Sequence, residues 1–586
     1  MSRNVVRISL SMEKAQRLIS KYPHSSVVVL SPDLLEQEGI VGPEKDRLDK
    51  MYLDFVAGLA AKDGSTFWWA NSLSEKNELI SPLFAHLSVL YAFDRWLKRH
   101  PSQDCIVVCD AGLCEAVRSL VNEHYDVEGG GPGLNKFAGI MRNSCRYVVK
   151  LMLAFWKEIY RMVLSRGYPG AAQKLRSVRK ARVIKSWVDH RSYRSGDYQD
   201  AYFPKVLPYL HQHNVPYILL ADIIQDFRGH FKSIVADRKN LIIPIDYFLT
   251  FGNLCRAVVL QWASRPSVES RLKFASIDVT SVVRNELAEG LFSTRFFTNI
   301  LYYFKIKRLA QTVDIHSFVY TFENYAWEKM CLKAFKDSAP SVRTVGFQHA
   351  FIAKNSFKYF LGEQEVGIVP CPDSILTMGE VTKRILNTYG HWPGKILSTG
   401  CALRQFGTMN GAQGGSVKSR DILVAFTMTR EESIKILEFI FEAGLARHPH
   451  DVHLRFHPQT PVAEVLKGIS FELPANFKIS RAPSLNDDFK RAGVVLYTWT
   501  TVGLEALVNG IPVIYLDVNK PLNLDPLFEC SVLKEQAARP QELKEKIEKF
   551  LNLPEDIYAG DLAKARQYLK DYFSPVNEEA LALFAR

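Results

Sequence analysis

The chain reads as a doubly wound α/β protein of two halves, preceded by a further N-terminal unit. Three observations predict that class. Apolar strand-like runs alternate with helical stretches along most of the sequence, and 586 residues are too many for one core. Between residues 452 and 516 two such runs stop at polar loops, the place where open parallel sheets bind ligands. Hydrophobic residues at 47% and charged residues at 23% exclude a disordered chain, and no part is low-complexity.

Residues 1–130 read as an N-terminal α/β region. Strand-like runs at 5–10, 26–30 and 105–110 are separated by helical stretches, and Trp68, Trp69 and the mostly apolar run 83–96 supply its core. Cys105, Cys109 and Cys114 lie on and just after the third run. With no companion histidine cluster, their spacing suits buried structural cysteines better than zinc. Nine cysteines, an odd number, are expected to stay reduced. With no apolar stretch long enough for a signal peptide or a membrane span, the expectation is a cytoplasmic protein.

Residues 131–176, after the glycine-rich breaker at 128–133, form a basic amphipathic helical segment. Between residues 142 and 185, a stretch that runs past the end of this segment, there are twelve basic residues and one acid, Glu158, so that stretch holds eleven of the net charge of +12. Arg142, Arg146, Lys150, Lys157 and Arg161 recur at spacings of four and seven and share a helical face, with apolar and aromatic residues on the rest. Such a helix can lie on an anionic membrane, and these five residues are the expected membrane contacts. A solvated basic face on a helix packed against the protein is the plainer reading. Single-strand nucleic-acid binders also interleave aromatics with charge, but the helical ordering of the charges and the apolar opposite face favour lipid, and no nucleic acid is expected.

Residues 177–368 and 369–586 read as the two halves. In the first, strands near 183–187, 215–223, 313–322 and 342–348 end at loops carrying Asp189, Asp197, Asp200, Glu323 and His349. In the second, the alternating strand of VHLRFHP stops at His457 and Pro458, because proline cannot donate to a ladder and restrains the residue before it. The buried run at 494–497 gives way to Thr498, Thr500 and Thr501 and then to a helix closed by Asn509-Gly510.

These residues resemble the GT-B glycosyltransferases, whose two Rossmann-like domains face each other across a cleft. More narrowly, the sequence is similar to bacterial surface-carbohydrate transferases, including capsule and O-antigen Kdo transferases and bacterial sialyltransferases. The resemblance rests on His457-Pro458 in RFHP, on Thr498, Thr500 and Thr501 with Glu505 downstream, on Gln348-His349, and on SWVDHRSYRSGDYQDAYF and TFENYAWEK. It implies transfer of a sugar from a nucleotide-activated donor, CMP-Kdo or a CMP-nonulosonate by preference, to a growing capsule, O-antigen or lipopolysaccharide glycan. A CDP-glycerol polymer transferase and a GT-B sugar-nucleotide epimerase are the alternatives within the same fold. By the same resemblance His457 contacts the donor phosphate, and Thr500 and Thr501 contact its oxygens. The Asp/Glu-Asp/Glu-Gly motif of the sialyltransferases is missing, which sets sialic acid apart from the other donors.

The chemistry of the residues fits that implication. Glycosyl transfer needs stabilisation of a departing phosphate, which Arg455, His457 and the threonine hydroxyls can supply. Arg455 equally suits a salt bridge, and Glu505 suits either the ribose hydroxyls of a nucleotide or a helix contact. An inverting reaction needs a base near the acceptor hydroxyl, and His349, Glu323, Asp189 and Asp200 are the candidates, with Asp197 beside them. No Asp-x-Asp triplet suited to a metal diphosphate occurs, so no metal and no cofactor are expected. The expected partners are a nucleotide-sugar donor, a glycan or lipid-linked glycan acceptor and an anionic membrane surface, and the expected place is the inner face of the cytoplasmic membrane.

Overall fold

A computed structural model of the protein describes residues 4–7, 27–30, 32–63, 65–100, 105–109, 113–121, 125–129, 136–194, 196–264, 271–403 and 419–586. The N-terminal unit has a parallel sheet of β1 (Asn4–Arg7), β2 (Val27–Val29), β3 (Cys105–Cys109) and β4 (Tyr125–Gly129). Its main helices are α1 (Pro43–Asp63) and α2 (Leu83–Arg99). Trp68, Trp69 and most of the apolar residues of α2 are buried, as expected. The long helix α3 (Lys136–Arg166) then leads into the first half.

That half is a seven-stranded parallel sheet. Its strands are β5 (Ala181–Val188), β6 (Tyr217–Ile223), β7 (Ile242–Pro244), β8 (Ile315–Thr321), β9 (Arg343–Phe347), β10 (Ser374–Thr377) and β11 (Leu397–Thr399), in the order β11-β10-β9-β8-β5-β6-β7. Val183 lies opposite Phe318 in the central pair. Helices α4 (Phe251–Ala263), α5 (Thr294–Thr312) and α6 (Ala326–Ser338) connect and cover it. The second half is a six-stranded parallel sheet of β12 (Asp421–Ala425), β13 (Val452–Arg455), β14 (Phe477–Ile479), β15 (Ala492–Tyr497), β16 (Val513–Leu516) and β17 (Lys534–Ala537), in the order β14-β13-β12-β15-β16-β17. Every residue of β15 is buried, which is why it reads as an unbroken apolar run rather than an alternating one. Helices α7 (Arg430–Glu442) and α8 (Val502–Val508) follow β12 and β15. Gly503 lets α8 sit on β15: a Cβ there would come within 2.7 Å of the Tyr497 ring.

Both sheets are doubly wound, with the strand order reversing between β5 and β8 in the first and between β12 and β15 in the second. The chain thus holds two doubly wound α/β units, each with its own parallel sheet. The loops after β9 and β16 join directly, through Asn355 N–H to the Asn523 carbonyl at 3.0 Å and Asn523 N–H to Asn355 Oδ1 at 2.7 Å. Loops from the carboxyl edges of the two sheets are therefore in direct contact. Two further helices, α9 (Glu555–Tyr572) and α10 (Glu578–Ala585), carry the chain back onto the first half. Ser574 N–H bonds the Met378 carbonyl at 2.8 Å, and the Phe584 ring lies 5.4 Å from that of Phe347.

One boundary differs from expectation. The sequence reading ends the first half at residue 368, but β10 and β11 pair with β9 and belong to the first sheet. Alternation of strand and helix shows that a sheet is being wound and leaves open which sheet a strand joins. The crossing to the second half therefore falls between β11 and β12, in the stretch that includes the Gly/Ser-rich run 407–416, which lies outside the described residues.

Candidate functional site

In the second half, the site is built where loops leave adjacent strands at the reversal of strand order. The loop after β12 carries Thr427 and Thr429, that after β13 His457 and Thr460, that after β15 Thr498 to Thr501, and that after β16 Asn519. Glu432, in the first turn of α7, ties three of these loops together. Its carboxylate accepts from the Thr427 hydroxyl at 2.5 Å, the Trp499 indole N–H at 2.6 Å and Asn519 Nδ2 at 2.7 Å. The fourth loop joins through the Thr460 hydroxyl, which donates to the Thr427 carbonyl at 2.8 Å. Neither Glu432 nor Trp499 is singled out by the sequence reading. The signal was available: the strand-end rule applied to DILVAFT leads to Thr427 and on to Glu432.

His457 is half-buried, and its Nδ1 accepts the backbone N–H of Gln459 at 3.2 Å. That bond leaves the proton of the neutral ring on Nε2, the tautomer that donates to an incoming oxygen. Burial also holds the ring below the usual histidine range, so the neutral donor is favoured. Pro458 is exposed and turns the chain. The strands β13 and β15 flank β12, so His457 and the threonine loop are roughly 10 Å apart by strand spacing alone.

The expected threonines differ among themselves. Thr498 is fully buried and its hydroxyl has no partner among the described residues, and its carbonyl accepts the N–H of Thr500 at 3.0 Å. Thr500 and Thr501 are half-buried, and the Thr501 hydroxyl donates to Glu505 Oε1 at 2.9 Å. Two residues expected to bind donor separately thus form one unit. Helix α8 has only seven residues, so the hydroxyls and His457, rather than a helix terminus, are what this edge offers an anion. Arg455 follows the plainer reading: its Nη1 bonds Asp488 at 3.0 Å and the Ala482 carbonyl at 2.7 Å, which locks the loop before Ser484.

In the first half, the matching site stands at the ends of β5, β8 and β9. Glu323 Oε1 lies 3.6 Å from His349 Nε2, and its other oxygen pairs with Lys358. Lys358 also reaches the Tyr325 hydroxyl at 3.0 Å. Burial pushes the Glu323 carboxyl up, but Lys358 and then His349 outweigh it and hold it below the usual glutamate range. Glu328, in the first turn of α6, fixes the loop by accepting the N–H groups of Glu323 at 3.0 Å and Asn324 at 2.9 Å. Asn324 takes the left-handed conformation, φ 61°, that this tight exit from β8 requires. On β9, Gln348 Oε1 accepts the Met378 N–H at 3.1 Å, which anchors the strand end from which His349 projects. The Tyr202 ring meets the His349 ring edge-on at 5.2 Å. Tyr202, Tyr325 and Arg191 lie inside the motifs quoted for the resemblance but are not picked out there, and Lys358 sits in an irregular segment with no periodicity to mark it.

The aspartates need correction. Asp200 is buried, and it accepts from the Ser186 hydroxyl at 3.0 Å, the Tyr198 hydroxyl at 2.8 Å and the N–H groups of Tyr202 and Phe203 at 2.8 Å each. It holds the loop that presents Tyr202 and offers no oxygen to an acceptor. Asp189 binds Arg191 through both oxygens, at 2.6 Å for the shortest contact, and Arg191 reaches the Tyr202 hydroxyl at 3.2 Å. Asp197 is exposed and paired with Lys239 at 2.6 Å. Of the expected bases, His349 and Glu323 are the pair the fold brings together.

Arg161 is corrected too. It is half-buried and turned inward rather than membrane-facing, with Nε 2.9 Å from Asp246 and Nη2 3.6 Å from Asp222. Arg146, Lys150 and Lys157 are exposed, and the Arg142 side chain lies outside the described residues. The N-terminal unit meets both halves around a cavity of 330 Å³, lined by Lys45, Asp49, Lys354, Asn355 and Asp517 among others. Burial pushes the Asp517 carboxyl up to about 6.

No protein-family model matches the chain, and no curated protein matches it. Among solved structures, it is similar to a glycosyltransferase from Rickettsia africae ESF-5, at 12% identity and TM-score 0.39, over 69% of this chain and 96% of that one. It is similar to MurG of Acinetobacter baumannii at 11% identity and TM-score 0.39, over 69% and 98%. The wall teichoic acid polymerase TagF aligns at 11% identity and TM-score 0.33, over 76% and 96%. Among the described residues, no helix is long and apolar enough to cross a membrane.

Proposed function

We propose that the protein is a glycosyltransferase that moves a sugar from a nucleotide-activated donor to a hydroxyl of a cell-surface glycan at the cytoplasmic face of a membrane. What supports this is an edge rich in neutral hydrogen-bond donors at the strand ends of the second half, together with a carboxylate–imidazole pair at the strand ends of the first. His457 Nε2–H and the hydroxyl of Thr500, with Thr501 beside it, would receive the donor phosphate, and the Trp499 ring, held by Glu432, would flank it. Charge developing on the leaving phosphate is stabilised by donors already in place, which is the largest lever such a site has. On the other edge, ionised Glu323 would support His349 as it takes the proton of the attacking hydroxyl. RFHP with the threonine cluster supports a CMP-linked donor, Kdo or another nonulosonate, and no metal is needed in this scheme.

A thermal-shift screen against CMP, CDP, UDP, GDP and dTDP tests the reading, because a ligand that binds only the folded state raises its melting temperature. The expected result is stabilisation by CMP that is lost in His457→Ala, followed by sugar transfer from a CMP-linked donor that EDTA leaves unchanged. Stabilisation by CDP with turnover of CDP-glycerol would move the protein to polymer transfer, and free sugar nucleotide formed without acceptor would make it an epimerase. If none of the five nucleotides stabilises it, the donor site is wrongly placed.

A further inference from the structure

We propose that the outward face of α3, extended by α4, docks the protein on an anionic lipid bilayer, with its apolar side chains inserted among the headgroups. This names the contact surface of the membrane-side reading above and is independent of its chemistry. The inner face of α3 is occupied: Leu151 and Met162 are buried, Glu158 bonds Lys305 at 3.1 Å, and Arg161 is paired with Asp246. On the outer face Val149, Met152, Leu153, Trp156, Tyr160 and Val163 recur at spacings of three and four, so they form one stripe. Leu153 is 66% exposed and Trp156 63%. Helix α4 adds Val259 at 64% and Trp262 at 53%. Tyr147 and Trp262 meet at 6.1 Å and Phe155 and Phe251 at 6.2 Å, which makes the two helices a single surface. Apolar patches of this extent on a soluble face mark an interaction site.

Charge selects the occupant. Arg146, Lys150 and Lys157 run exposed along one margin of the stripe, and Arg256 is exposed on α4. The one acid on α3 is the buried Glu158, and α4 has none. A second copy of this surface would bring like charges together around the apolar contact, whereas anionic headgroups meet them with opposite charge. With aromatics among aliphatic residues and a basic margin, the pattern is that of a helix lying in the membrane plane. The contact differs from the sequence expectation: the apolar stripe enters the bilayer and the lysines and arginine flank it.

Sedimentation of the full chain with vesicles of phosphatidylcholine alone, or mixed equally with phosphatidylglycerol, tests this without turnover. The expected result is at least about tenfold stronger binding to the mixed vesicles, with a blue shift of tryptophan emission. Leu153→Glu with Trp156→Glu should lose that binding at unchanged melting temperature, and Lys150→Glu with Lys157→Glu should lose the preference for the anionic lipid. Wild-type protein that ignores both vesicles, or a Leu153/Trp156 variant that binds like wild type, overturns the proposal. So does a wild-type dimer in sedimentation velocity that the Leu153/Trp156 variant turns into a monomer, since the occupant would then be a second copy.

Discussion

At the scale of residues, Glu432 shows how much can rest on one carboxylate. Three donors from three loops converge on it, and a glutamine would have to turn an N–H₂ group toward one of them. Glu432→Gln is expected to cost about 1–3 kcal/mol in urea denaturation and to weaken nucleotide binding by calorimetry. Unchanged affinity would mean that Trp499 and Asn519 do not shape the donor site. Glu323→Gln keeps the shape of the acceptor-side pair and removes its charge. Steady-state assays should show kcat lowered by about 10²–10⁴ with the donor KM unchanged. A fall in donor affinity instead would place Glu323 on the wrong substrate. The placement of His457, Thr500 and Glu323 in loops just after strands was legible, because the change from apolar run to polar loop is written in the sequence. Lys358 was not, because its partner Glu323 comes from a segment 35 residues away, and no local pattern records such a meeting.

At the scale of elements, α3 is held by charge on one side and exposes apolar side chains on the other. Asp246 accepts from Arg161 at 2.9 Å and Lys305 at 2.6 Å while fully buried. Removing it takes from Lys305 and Arg161 their shortest carboxylate contact and leaves Glu158 and Asp222 to hold them, so Asp246→Ala should destabilise the protein by about 3 kcal/mol in chemical denaturation. A loss below about 1 kcal/mol would show that α3 docks by packing alone. Burial pushes the Asp246 carboxyl up, but Lys305 and Arg161 outweigh it and hold it below the ordinary value of 3.8. The stabilisation is therefore complete above that value and lost as pH falls through the lower folded one, so wild-type denaturation midpoints should hold down to about pH 4 and drop below it. The periodicity of the basic residues located this helix correctly. It could not tell an arginine facing solvent from one facing Asp246, because the acid lies on a segment 85 residues away.

At the scale of the whole molecule, the two halves are joined by the loops that carry Asn355 and Asn523 and by the return of the chain through α9. Gly379 is where that return passes closest to the first half: a Cβ there would stand 2.3 Å from the carbonyl oxygens of Asp571 and Tyr572. Backbone atoms cannot swing aside, so Gly379→Ala should cost about 1–3 kcal/mol and lower the melting temperature, with nucleotide binding retained. A neutral effect would show that the crossover is free to shift. The return also sets an order of events during synthesis. Phe203 and Phe347 of the first half are covered by Phe584, and Arg182 Nε bonds the Ala585 carbonyl at 2.8 Å. A nascent chain that has left the ribosome only as far as β11 therefore carries all seven strands of the first sheet and still lacks the cover for two of its aromatic side chains. At roughly 5–20 residues per second, that surface waits about ten to forty seconds for residue 584, an interval in which a chaperone has something definite to hold.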